Sequence, residues 1–139
     1  MDFFSEHVIQ PYGIRLILAT PTHEEHYQSL KEKWKMDSDE ENLCGVYRLN
    51  HEGWATFLVV FKINYLQTLT YGMIAHEALH IVDYTLGTIG QEHDPENNEV
   101  GCYLIEWLTN MIFKHFIDRK LLKELSAESK IIKKDGEID

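Results

Sequence analysis

The chain has 139 residues, 44% of them hydrophobic and 26% charged, which fits one globular domain around a single core and excludes a disordered chain. Thirteen Lys and Arg against 23 Asp and Glu give a formal charge of −10, a surface that repels phosphate backbones and excludes nucleic acid as a partner. No stretch approaches the length of a membrane span, and MDFFSEHVIQPYG at the N-terminus lacks the basic start and long apolar run of a signal peptide.

The two cysteines, Cys44 and Cys102, lie far apart and outside any CxxC pattern, which reads as buried free thiols in a reducing compartment. The expected location is therefore the cytoplasm, with no membrane partner; a virion component would share these traits.

In chain order, Gly13 to Ala19 (GIRLILA) is a branched, apolar run bounded by Pro11 and Pro21 and predicts a buried strand. Thr22 followed by Glu25 resembles a capping box and opens a short, charged, solvent-washed helix that includes His23 and His26. Asp37 to Asn42 reads as an acidic loop. CGVYRLN and WATFLVVFKI, separated by His51-Glu52-Gly53, predict a β-hairpin.

From about Leu66 to Leu86 the apolar period becomes helical, with Ala75, Ala78, Leu79, Val82 and Leu86 as one stripe and Gly87 and Gly90 at its end. Asp94-Pro95-Glu96 then supplies a cap, a first-turn proline and an acidic first turn. The long helix so opened buries Val100, Leu104, Trp107, Leu108, Met111 and Ile112. The expected organisation is one α+β domain over residues 1–125 and a charged, flexible tail over 126–139.

The segment YGMIAHEALHIVDY carries the chemistry. His76 and His80 are four residues apart, so a helix aims both imidazoles at one point, as two ligands of a tetrahedral zinc require. Glu77 is rotated about 100° from His76 and flanks that point, where a carboxylate can take a proton from a water that the metal activates. A third protein ligand is needed. Glu99, nineteen residues beyond His80 and early in the next helix, ranks first, followed by Asp83, His93 and Glu96. Glu96 is better explained as a helix N-terminal charge. Tyr84 and Tyr103 are candidate oxyanion or substrate contacts, although each also suits a core aromatic. The pair His23 and His26 lies in a polar helix without a core face and is assigned no site.

His-Glu-Ala-Leu-His (His76 to His80) followed by Asn98-Glu99 resembles the gluzincin class of zinc metallopeptidases. ENNEVGCYLIEWL is similar to a stretch found in small peptidases encoded by phage and prophage genomes. The resemblance spans Gly72 to about Phe113. It implies a small zincin-like fold, with a sheet of about three strands packed on the motif helix and a long C-terminal helix. It also implies a third ligand on the second helix, here Glu99, and an edge strand that holds an extended peptide. Tyr103 stands where thermolysin-like members have an aspartate, which leaves Asp83 as the candidate to orient a ligand. The metzincin pattern fails, because Asp83 and Leu86 replace its glycine and third histidine.

The expected function is hydrolysis of a peptide or protein substrate with one zinc ion held by His76, His80 and Glu99, and with Glu77 as general base. Trp54 to Phe61, or the other strand of the hairpin, would offer the edge. One alternative is a catalytically silent zinc-binding structural or assembly protein of phage. Two others are a protease that cleaves a repressor, and a metal-free interaction module.

Overall fold

Alternate residues of a strand face opposite ways, so the runs Leu16 to Ala19 and Phe57 to Val60, apolar at every position, need cover on both sides. The computed structural model describes residues 3–39, 43–61, 71–91, 94–96 and 98–121. Within these residues the order is β1 (Phe4–Ile9), β2 (Ile14–Ala19), α1 (Glu24–Lys33), β3 (Gly45–His51), β4 (Trp54–Val60), α2 (Tyr71–Thr88) and α3 (Glu99–Asp118). The architecture is α+β, and the sheet is four-stranded and mixed, ordered β1-β2-β4-β3. β1 pairs antiparallel with β2, β2 parallel with β4, and β4 antiparallel with β3.

Helices cover both faces. Leu16, Leu18, Phe57 and Val59 meet Ala78, Ile81 and Val82 of α2 and Leu104, Leu108 and Ile112 of α3 in one buried cluster. Ile17, Ala19, Leu58 and Val60 point the other way and meet Tyr27, Leu30 and Trp34. The crossover from β2 to its parallel neighbour β4 carries α1, which is how the chain covers that second face.

Several expectations change. The sheet has a fourth strand, β1, whose sequence FSEHVI mixes polar and apolar residues because it lies at an edge and is half covered. α1 is not solvent-washed all round: Tyr27, Leu30 and Trp34, at helical spacing, are buried against the sheet. Its capping box does not form. His23 is the N-cap without a side-chain bond, while the Thr22 backbone N–H donates to Nδ1 of His26 at 3.1 Å. Cys44 and Cys102 are exposed, where burial was expected. β4 is interior, so only β3 of the hairpin can serve as an edge.

The hairpin turn is tight. Glu52 and Gly53 have φ of 54° and 83°, the two positive values that a two-residue type I′ turn requires. All three helices end in the same way. Gln91, Leu121 and Met36 return their N–H groups to the carbonyls of Leu86, Phe116 and Lys31 at 2.8, 2.8 and 2.9 Å. The residue before each of them (Gly90, Lys120 and Lys35) has φ between 52° and 77°, the Schellman arrangement. Residues 62–70 and 122–139, which include the start of the expected α2 and the expected tail, lie outside the described residues, and so do His93 and Asn97. Among the described residues no helix is long and apolar enough to cross a membrane.

Candidate functional site

The buried arc of α2 is Ile74, Ala78, Ile81, Val82, Thr85 and Leu86. Two members of the expected stripe fall outside it: Ala75 is exposed and Leu79 is 49% exposed. The helix is rotated toward its larger branched residues, since Ile74 and Ile81 bury more apolar surface than the alanine and leucine they displace from the centre of the arc. This rotation turns His76, His80 and Asp83 squarely to solvent.

His76 and His80 come together as their spacing predicts. Their ring centroids are 4.8 Å apart with planes at 74°, and both side chains are exposed. Tyr84, one turn further on, lies 6.2 Å from His80 with the planes at 23°. The guanidinium carbon of Arg48, on edge strand β3, sits 4.5 Å from the Tyr84 ring centroid, within range of a cation–π contact. Phe57 backs the same tyrosine at 6.2 Å. His80 is therefore braced, through Tyr84, against the edge of the sheet. Tyr84 is half-buried in this stack, as a packing aromatic would be. Arg48 was not singled out from the sequence, because nothing in the strand alternation distinguishes it from a solvated strand charge.

Glu77 and Tyr84 are seven residues apart and share one flank of α2, the flank that meets β3. Glu77 is half-buried, and its Oε2 is shut off from solvent without a hydrogen-bond partner. Trp34 Nε1 is the other such atom among the described residues. An indole N–H left in this way is one unmade bond. A carboxylate oxygen is far costlier to desolvate, and an unmatched one marks a place where a water, ion or substrate belongs.

The pair of imidazoles and the unmatched carboxylate suit a zinc site with a general base. The third ligand is not gathered with them: among the described residues no group of three or more His, Cys, Asp or Glu side chains could hold a metal ion. α2 continues eight residues beyond His80, about 12 Å of helix axis at 1.5 Å per residue. Glu99 is the first residue of α3 and is exposed. α3 does not open at Asp94, where it was expected to, but at Glu99. Asp94 Oδ1 instead accepts the N–H of Glu96 at 2.9 Å and closes a separate turn, and Asn98 becomes the N-cap. Asp83 is exposed on α2, three residues past His80. Tyr103 does not join the pair; it is 68% exposed and lines a hollow between α3 and the β1–β2 turn.

A second polar set escaped the sequence reading. His115, 2% exposed on α3, places Nδ1 2.7 Å from Ser5 Oγ and Nε2 3.1 Å from Thr20 Oγ1. Ser5 Oγ is also 2.8 Å from His7 Nε2, and Thr20 Oγ1 donates to the Phe3 carbonyl at 3.2 Å. One assignment of protons satisfies every atom. His7 Nε2–H donates to Ser5, whose hydroxyl donates to Nδ1 of neutral His115, whose Nε2–H donates to Thr20. Burial first, then the Arg119 guanidinium, holds His115 down to a pKa of about 3, which keeps it in that neutral state. The set ties α3 to β1 and to the end of β2. A lone His in an apolar helix face gave no sign of it.

The chain matches no protein-family model, no curated protein and no solved structure.

Proposed function

We propose that this protein is a zinc-dependent peptidase whose site lies on the solvent face of α2 beside edge strand β3. The observation that carries the reading is the Glu77 carboxylate, half-buried with an unmatched oxygen, next to two exposed imidazoles on the same helix. A zinc ion bound there supplies a Lewis acid and makes water nucleophilic near neutral pH. His76 and His80 hold it through ring nitrogens, and Glu99 completes the set, with Asp83 and His93 as the alternative donors. An extended substrate adds to β3, an edge strand of the sheet among the described residues. Glu77, on the β3 flank, accepts the proton of the attacking water and returns it to the leaving nitrogen. Tyr84 and Arg48 hold the ring of His80 in orientation.

Incubation of the zinc-loaded protein with an unstructured polypeptide tests this. Cleavage is expected, and Glu77→Gln is expected to lower its rate by about 10²-fold or more while zinc still binds. Equal cleavage by both proteins would remove Glu77 from the chemistry. Among the described residues no third donor is gathered with the two histidines, which favours a second reading, in which the protein binds zinc for stability and does not turn over. That reading expects a melting temperature that rises with zinc and no cleavage by either protein.

A further inference from the structure

Between α3 and the β1–β2 turn lies an open hollow of about 520 Å³, large enough for a ligand side chain and its flanking main chain. The aromatic residues Tyr12, Tyr103 and Trp107 line it, and Glu106 is the one carboxylate among its described lining residues. Among the described residues no Lys, Arg or His lines it. Gln10 and Asn110 stand among the lining residues as amides, groups that both donate and accept. The stretch of sequence that includes most of α3 carries the same sign. From residue 63 to residue 113 the chain has seven carboxylates and no Lys or Arg; all thirteen basic residues fall before or after that span. Asp94, Glu96 and Glu99 are exposed close in sequence to the start of α3, whose Val100 lines the hollow.

We propose that the hollow binds an arginine side chain presented by a basic polypeptide. A guanidinium is planar, stacks on aromatic faces and pairs with a carboxylate, which matches the three rings and Glu106. The paired amides suit peptide groups on either side of the arginine and favour a polypeptide over a free small cation. The net charge of −10, with Asp94, Glu96 and Glu99 exposed just before and at the start of α3, draws a basic chain toward the protein and raises the rate of encounter. This proposal stands apart from the zinc chemistry, because binding at the hollow needs neither the metal nor Glu77.

The test is a titration of the isotope-labelled, metal-free protein, followed by NMR, with an end-blocked peptide Gly-Ser-Arg-Ser-Gly. The same peptide carrying citrulline, which keeps the shape and loses the charge, is the control, and argininamide is the third probe. Shifts are expected at the Trp107 indole and at the Tyr103 and Glu106 amides. The citrulline peptide and argininamide are each expected to bind at least about tenfold more weakly. Glu106→Gln, on an exposed side chain that does not endanger folding, is expected to weaken the arginine peptide about fivefold. Trp107→Ala is expected to weaken it about tenfold or more. Equal binding of arginine and citrulline peptides, shifts that avoid the hollow, or an unaffected Glu106→Gln variant would overturn the proposal. Argininamide binding as tightly as the peptide would overturn the choice of a polypeptide.

Discussion

His115 shows what a buried titratable residue does to this protein. Its folded pKa of about 3 lies below the unfolded value of 6.5, mainly through burial and then through the Arg119 cation and His7, with Asp118 opposing. The unfolded chain therefore takes up a proton, as pH falls below 6.5, that the folded chain refuses. Stability is fully present above that value and is lost progressively down toward pH 3, by at most about 1.4 kcal/mol per pH unit for this one site. His7 is shifted the same way, by burial first and then by Arg119 and Lys114, and adds to the slope. Urea denaturation at pH 7, 6, 5 and 4 is expected to show falling stability, with His115→Gln flattening the decline. A variant with the wild-type slope would remove His115 as its source. Sequence could not reveal this residue, because its partners Ser5 and Thr20 are more than ninety positions away. The pairing of His76 with His80 was legible for the opposite reason: helical geometry alone sets it.

At the scale of elements, the helix ends make a sharp prediction. Lys35 and Lys120 hold the left-handed position that Gly90 holds at the end of α2, with φ of 52° and 56°. A side chain is strained there and glycine is not. Lys35→Gly and Lys120→Gly are each expected to stabilise the fold by about 0.5–1 kcal/mol, read as a higher denaturation midpoint. Gly90→Ala is expected to destabilise by about 1 kcal/mol or more, because its φ of 77° leaves no unstrained place for a Cβ. In the core, Leu108→Ala removes a fully buried side chain between α3 and the sheet and is expected to cost about 2–5 kcal/mol.

The hairpin, β2 and the long helix were legible because their apolar runs are continuous or periodic and their turns carry glycine. β1 was not, because an edge strand buries half its residues and reads as polar. The start of α3 was misplaced by four residues, because Asp94-Pro95-Glu96 satisfies the local rules for a helix opening while Asp94 spends its side chain on the N–H of Glu96.

Over the whole molecule, charge is divided along the chain more sharply than its net value of −10 suggests. The layer built from α2 and most of α3 has carboxylates without cations of its own, and Arg48 reaches it from the sheet. Repulsion within that layer is screened by salt, so the melting temperature is expected to rise as ionic strength increases from about 0.01 to 0.15 M. A flat or falling response would mean that these charges are too far apart to matter. A divalent cation at the histidine pair would relieve the same repulsion, which links the electrostatics of the layer to the central claim. The most direct measurement of that claim is elemental analysis of protein purified without added metal, run beside His80→Ala. One zinc per chain, lost in the variant while its fold is kept, is the expected result. No metal in the parent protein, or the same metal content in both, would contradict it.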